Sequence, residues 1–138
     1  MKPDLSPYLA FDGCARDALE FYATVLGGKP VIETYADFRP DVAAENQDLV
    51  LYGVLRSPHG FIIRATDVLS NEELRIGNNH YLCLNGDDQD LLQPCWNLLA
   101  ESASAITVPL EQAPWGDLYG QLVDQFGIIW QINIGDSP

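Results

Sequence analysis

Residues 5–28 read LSPYLAFDGCARDALEFYATVLGG and contain a change of hydrophobic period. The segment 5–11 is short and mostly apolar, and it is followed by the turn-forming pair Asp12-Gly13. This pattern predicts a strand. From Ala15 the apolar residues recur every three or four positions and charged residues occupy the other face, as in an amphipathic helix. Gly27-Gly28 ends this helix, because glycine adopts the left-handed cap conformation without steric cost.

The rest of the chain extends this pattern and then repeats it. The order of predicted elements is strand, helix and three strands, given twice, with the join at residues 67–79. The two halves share this pattern and not their sequence. The remaining strands are predicted at residues 30–36, 49–56, 61–66, 80–85, 105–110, 119–123 and 128–134, the second helix within 87–100, and a loop at 37–48.

Three local signals concern helix ends. Ser70-Asn71-Glu72-Glu73 has the spacing of a capping box and predicts a helix start at Ser70. Asp87, Asp88 and Asp90 open the second helix, where acidic residues act as caps and dipole partners more simply than as a metal cluster. Pro94 lies inside that helix and predicts either a later start or a bend.

Composition and charge bound the function. The 138 residues carry 20 acidic and 7 basic side chains, a formal charge of −13, and no Lys or Arg follows Arg75. Nucleic acid and anionic membrane surfaces are therefore poor partners. The first residues lack the features of a signal peptide, and no apolar run approaches the roughly 18 residues of a membrane span. We expect a soluble, cytoplasmic protein with a single domain.

Few residues offer obvious chemistry. Cys14, Cys83 and Cys95 form no C-x-x-C pair, and we expect them to be buried, reduced and inert. The common nucleophile, zinc-protease and phosphate-loop motifs are absent from the sequence. His59 lies in a predicted hairpin turn, whereas His80 opens a strand and is the more interesting histidine.

Two blocks of sequence carry a family resemblance. The first block is PYLAF at 7–11, ARDALEFY at 15–22 and LGG at 26–28, and the second is WGDLYG at 115–120 and DQFGIIW at 124–130. Together they resemble PhnB-like proteins of the vicinal-oxygen-chelate superfamily, which contains glyoxalases, bleomycin-resistance proteins and extradiol dioxygenases.

The resemblance implies an α+β fold of two βαβββ modules whose curled mixed sheets surround a cavity. Module one would span about 5–66 and module two about 79–134 of one domain at 1–138. In that superfamily a divalent metal is commonly held by four side chains, from the first and third strands of one module and the corresponding strands of the other. By position these fall at Pro7, Tyr52, His80 and Gln131.

These four residues are a poor ligand set. Pro7 has no donor side chain, and Tyr52 would have to lose a proton whose reference pKa is about 10. Gln131 offers a neutral amide oxygen, so His80 is the one strong ligand. We therefore expect neither a metal ion nor another cofactor.

Strand alternation still predicts a pocket. In the last strand Ile129, Gln131 and Asn133 share one face, which suits a cavity wall, and the other face is apolar and suits packing against a helix. Tyr52 and His80 would add a hydroxyl and an imidazole to the cavity, with Trp115 and Tyr119 as an aromatic lip. The alternative is that Tyr52, His80 and Gln131 hydrogen-bond one another inside a filled barrel.

The function expected is that of a metal-free PhnB-like protein with the glyoxalase/bleomycin-resistance fold, which binds a small organic molecule. A homodimer would cover further apolar surface, and the acidic chain favours cationic ligands. One alternative is a metal-dependent lyase, isomerase or dioxygenase of the same superfamily. Another is a metal-free enzyme in which His80 is the base and Tyr52 the acid.

Overall fold

The chain forms two compact units, each built around its own sheet. The computed structural model describes residues 2–137, with one unit ending at Arg75 and the other beginning at Ile76. We call them unit 1 and unit 2. In the part of the chain that is described, no helix is both long and apolar enough to cross a membrane.

Unit 1 contains a four-stranded mixed sheet in the order β1-β4-β3-β2. The terminal strand β1 runs parallel to β4, and the other neighbours are antiparallel. A long helix connects the first two strands, and a one-turn helix follows the second. The bounds are β1 Tyr8–Phe11, α1 Ala15–Leu26, β2 Val31–Thr34, α2 Tyr35–Phe38, β3 Val50–Arg56 and β4 Ile62–Asp67, with a 3-10 turn at Ala44–Asn46.

Unit 2 repeats this topology with the sheet order β5-β8-β7-β6. Strand β5 runs parallel to β8, and the other pairs are antiparallel. Its bounds are β5 Leu82–Gly86, α3 Gln89–Glu101, β6 Ala105–Gln112, β7 Leu118–Val123 and β8 Ile129–Ile134. The prediction of an α+β fold with two βαβββ modules is confirmed.

A glycine at the centre of each sheet lets the helix approach the strands closely. A Cβ atom at Gly53 in β3 would collide with Leu19 of α1. At the equivalent place in β7, a Cβ atom at Gly120 would lie 2.7 Å from the ring of Trp96 in α3. The glycines therefore define which face of each sheet packs on its helix.

A buried carboxylate in each unit receives backbone hydrogen bonds. Asp67, at the end of β4, accepts from the backbone N–H of Ala15 at 3.0 Å and of Val50 at 2.9 Å. It thereby joins the first turn of α1 to the start of β3. Such bonds satisfy N–H groups that would otherwise be buried without partners, at a cost of about 1–3 kcal/mol each.

Asp124, in the turn before β8, instead holds its own turn together. Its carboxylate accepts from the backbone N–H of Phe126 at 2.8 Å and of Ile128 at 3.0 Å, and from Nε1 of Trp130 at 2.9 Å. Gly127 in this turn has a φ of 89°, which a side chain would disfavour. The DQFGIIW block is thus explained by the turn that it builds.

Several local predictions are wrong or incomplete. No helix starts at Ser70; instead Glu72 Oε1 accepts from the backbone N–H of Leu69 at 3.0 Å within a turn. Helix α3 begins five residues before Pro94, so the alternative that this helix starts later is wrong. Asp88 is its N-cap, which confirms the prediction that an acidic residue caps this helix. The segment predicted as a loop at 37–48 includes the end of α2 and a 3-10 turn.

The cysteine prediction is also partly wrong. Cys95 is buried in α3, but Cys83 is exposed. The reason is strand alternation, since Leu84 faces α3 and Cys83 therefore faces the opposite way. Cys14 has intermediate exposure.

We expect the Gly120→Ala variant to lower the free energy of unfolding by about 1–3 kcal/mol, because the added methyl group overpacks the contact with Trp96. Urea denaturation would measure this loss. Gly86→Ala is the matched control, since a Cβ atom there would meet only Leu92 at an ordinary 3.7 Å. Its expected change is within about 0.5 kcal/mol. Equal losses in the two variants would contradict the close-approach argument.

Candidate functional site

The side of the unit 2 sheet opposite α3 carries most of its polar side chains. Gly120 and Ile132 are cross-strand partners on the helix side, so their neighbours along β7 and β8 face away from α3. A groove of about 420 Å³ lies there. Its lining residues are Cys83, Asn85, Trp115, Asn133 and Ser137.

Asn133 is the central hydrogen-bonding residue of this groove. Its Nδ2 donates to Asp117 Oδ2 at 2.9 Å and to Asn85 Oδ1 at 3.2 Å. Its Oδ1 accepts from Trp115 Nε1 at 3.1 Å. The amide group is therefore held in one orientation and connects β5, β8 and the loop before β7.

Trp115 presents an aromatic surface beside this amide. The residue is 54% exposed, yet its indole N–H is bonded to Asn133. Its ring meets that of Tyr119 edge-on, with centroids 5.4 Å apart and planes at 69°. The two residues predicted as an aromatic lip thus lie in contact, and the indole is fixed at its polar edge.

Asp117, the residue before β7, helps to hold the groove residue Asn133 in place. Its Oδ2 accepts from Asn133 and from the backbone N–H of Ser137 at 3.3 Å. These hydrogen bonds lower the pKa of Asp117 from its ordinary value, and the bond from Asn133 has the largest effect. Gly135 permits the approach of Asp117, because a Cβ atom there would overlap the carboxylate.

Gln131 and His80 also belong to unit 2. Gln131 Nε2 donates to Gln121 Oε1 on β7 at 3.3 Å, and Gln131 lies opposite Cys83 in register. His80 is exposed and precedes β5 by two residues, so the strand begins later than predicted. That Tyr52 shares a cavity with His80 and Gln131 stays a prediction.

Sequence reasoning missed the polar centre of unit 1, which is Arg64. Its Nε donates to the hydroxyl oxygen of Tyr52 at 3.0 Å, across β3 and β4. Arg64 lies opposite Tyr8 in register, and the rings of Tyr8 and Tyr52 are 6.2 Å apart at a tilt of 52°. The signal in the sequence was a charged residue, Arg64, in the mostly apolar predicted strand FIIRAT at 61–66.

Two residues before β1, Asp4 and Ser6, also accept hydrogen bonds from Arg64. Nη1 donates to Asp4 Oδ1 at 2.7 Å and to Ser6 Oγ at 2.6 Å, and Nη2 donates to Asp4 Oδ2 at 3.1 Å. The hydrogen bond and charge of Arg64 lower the pKa of Asp4, and Asp4 in turn raises the pKa of Arg64. Arg64 is therefore a permanent cation on this face of unit 1.

The registers correct one part of the predicted metal quartet. Gly53 pairs with Ala65, and Gly120 pairs with Ile132. When Gly53 of unit 1 is aligned with Gly120 of unit 2, Tyr52 is the residue that corresponds to Tyr119. The unit 1 residue that corresponds to Gln131 is Arg64. Tyr52 and Gln131 lie on the third strand of one unit and the fourth strand of the other, so they are not on corresponding strands.

The predicted quartet does not fit a divalent cation. Pro7 contributes a backbone carbonyl that already accepts from the backbone N–H of Arg64, and the Tyr52 hydroxyl lies 3.0 Å from the Arg64 guanidinium. A dication beside that cation would be repelled. Among residues 2–137, no group of three or more His, Cys, Asp or Glu side chains is placed to hold a metal ion.

The paired βαβββ units define the glyoxalase/bleomycin-resistance class of fold. A solved member of the glyoxylase/bleomycin resistance protein/dioxygenase group from Frankia sp. EAN1pec has 13% identity and a TM-score of 0.65, covering 99% of this chain and 94% of that one. The family model described as 3-demethylubiquinone-9 3-methyltransferase matches residues 3–133, and the chain belongs to this family.

Individual relatives support the same placement. Protein YjdN of Escherichia coli (strain K12) is 24% identical over 140 residues, 94% of each protein. Protein PA1353 from Pseudomonas aeruginosa has 25% identity and a TM-score of 0.84, covering 99% of this chain and 100% of that one. A PhnB protein from Bacillus cereus has 21% identity and a TM-score of 0.77, covering 96% and 100%. The resemblance to PhnB-like proteins is confirmed.

We expect the pKa of Asp117 to rise in an Asn133→Ala variant, toward the ordinary value of 3.8, because its largest hydrogen bond is lost. The lowered pKa means that Asp117 contributes stability above the unfolded pKa, which is lost as pH falls through the folded pKa. Titration of the side-chain carboxyl ¹³C resonance would measure the shift. Asn97→Ala on α3 is the control, and a pKa unchanged by Asn133→Ala would contradict the assignment.

Proposed function

We propose that this protein binds a small organic molecule in the unit 2 groove without a metal ion. The observation that carries the proposal is the fixed indole of Trp115 beside the oriented amide of Asn133. Small-molecule sites combine apolar or aromatic walls with a few oriented polar groups, and this groove has both. Tyr119 and Gln131 share its sheet face, and we propose His80, which precedes β5 in the same unit, as a further contact. That Tyr52 of unit 1 takes part in ligand binding stays a prediction.

The character of the ligand follows from the charge and the exposed ring. The face of an indole binds organic ammonium groups, and the formal charge of −13 adds a long-range attraction for cations that is strongest at low ionic strength. Both N–H groups of the Asn133 amide are already used, so this residue can offer a ligand only the second lone pair of Oδ1, which can accept from an ammonium N–H. The amide of Asn85 can also exchange a hydrogen bond with a polar group on the ligand. We therefore propose an aromatic or aliphatic amine as the ligand class.

Two ionisable groups at the groove, Cys83 and Asp117, are poorly suited to acid–base catalysis. Cys83 is exposed overall, but partial desolvation of its thiol raises its pKa, and hydrogen bonds lower the pKa of Asp117, so both pKa values are moved away from neutrality. An efficient general acid or base has a pKa near the working pH. The alternatives are the metal-dependent lyase, isomerase or dioxygenase and the enzyme with His80 as base and Tyr52 as acid.

The proposal includes a homodimer in the cytoplasm. The support for the dimer is that two of the edge strands, β2 and β6, expose Val31 at 60% and Ile106 at 48%. Exposed apolar side chains on an unpaired strand edge favour association with another chain. The oligomeric state can be measured alongside ligand binding.

We expect benzyltrimethylammonium to bind the wild-type protein, and Trp115→Ala to weaken that binding at least about tenfold, as lost stacking and cation–π contact require. Isothermal titration calorimetry would measure the affinity. Phe38→Ala removes another exposed aromatic ring outside the groove and is the matched control. Absence of binding, or equal affinity for Trp115→Ala and wild type, would contradict the proposal.

We also expect the protein to retain far less than about one divalent ion per chain after exposure to Ni²⁺ or Zn²⁺ and exhaustive dialysis, because the donor set is poor. Elemental analysis measures the content. Adding EDTA should leave the affinity for benzyltrimethylammonium unchanged. Stoichiometric metal together with EDTA-sensitive binding would instead support the metal-dependent alternative.

A further inference from the structure

We propose that Arg64 is a second binding site, in unit 1, for the carboxylate of an organic acid, and that Asp4 occupies this site when no acid is bound. The argument starts from the strand position. Arg64 lies on β4, an inner strand of its sheet, and its side chain is only 15% exposed. Its neighbour Ala65 faces α1, so Arg64 projects from the opposite face.

The sheet itself supplies one neutral partner for this guanidinium, the hydroxyl of Tyr52 on Nε. The charged partner comes from outside the sheet. Asp4 engages the edge formed by Nη1 and Nη2, with one carboxylate oxygen on each nitrogen. This two-point geometry is the one in which arginine recognises free carboxylates.

The segment that delivers Asp4 is weakly attached. Lys2, Pro3, Asp4 and Leu5 are all exposed, and Leu5 is 98% exposed, so no apolar burial holds this stretch in place. Among the side-chain contacts described for it, the anchors are those of Asp4 and Ser6 with Arg64. A carboxylic acid with comparable geometry can therefore take the place of Asp4 without disturbing the sheet.

The surroundings favour an acid with an aromatic or apolar body. Tyr8 lies opposite Arg64 on β1, and Tyr52 lies beside it on β3, with their rings 6.2 Å apart. The overall negative charge does not prevent binding, because charges beyond about 8 Å are largely screened at physiological ionic strength. The nearby guanidinium of Arg64 therefore determines that the site attracts anions.

Benzoate is the probe, titrated by calorimetry into the full chain. We expect Asp4→Asn to bind benzoate at least about threefold more tightly than wild type, since the internal competitor is removed. Asp48→Asn removes the same charge from an exposed loop and should bind like wild type. Benzamide, the neutral isostere, should show no gain, and phenyl phosphate tests whether phosphate esters share the site.

Adding Arg64→Lys to the Asp4→Asn chain should abolish the gain, because lysine keeps the charge and loses the planar fork. If that double variant is unstable, the ¹⁵N resonance of Arg64 Nε in the Asp4→Asn chain should shift on adding benzoate. Equal affinity of wild type and Asp4→Asn, an equal gain with benzamide, or an unmoved Nε resonance would each overturn the proposal. Trp115→Ala should leave benzoate affinity unchanged, which separates this site from the groove.

Discussion

The close packing of one helix on one glycine in each unit is the constraint on which the rest of the structure depends. Leu19 reaches Gly53 in unit 1, and Trp96 reaches Gly120 in unit 2. In each contact, one face of an inner strand packs against the helix. Because side chains alternate along a strand, every neighbouring residue is then committed to the other face. The polar networks follow from this alternation.

The two units use that second face differently. At corresponding positions, β3 and β7 both carry a tyrosine, Tyr52 and Tyr119, whereas β4 and β8 carry Arg64 and Gln131. Tyr52 is bonded to a cation, and Tyr119 meets the edge of an indole. The repeat therefore conserves its architecture while its two polar centres differ in charge and hydrogen bonding.

Much of the fold was predictable from the sequence because it depends on local periodicity. The spacing from Ala15 to Leu26 and the alternation of β8 both appear in the structure as expected. The capping-box prediction at Ser70 failed, because Glu72 instead accepts from Leu69 within a turn. In both a capping box and this turn, a glutamate side chain accepts from the backbone N–H three residues earlier. The spacing of the residues alone therefore cannot distinguish a helix start from such a turn.

The candidate sites were less predictable because they depend on contacts between residues distant in the sequence. Asn133 was placed on a polar face by alternation, but its bonds to Asn85, Asp117 and Trp115 require the sheet register. Arg64 was missed for the same reason, since its partner Asp4 lies 60 residues away. Composition and spacing carry no information on such pairs.

The position of Arg64 also bears on how the fold is used in this chain. A divalent cation at either of the corresponding positions of the two units would require electron-pair donors there. Here unit 2 offers the neutral amide of Gln131 at that position, and unit 1 offers a guanidinium that is charged at every accessible pH. Electrostatics therefore opposes a metal ion on this face of unit 1 and favours an anion there, which is the role that the Asp4 carboxylate already fills.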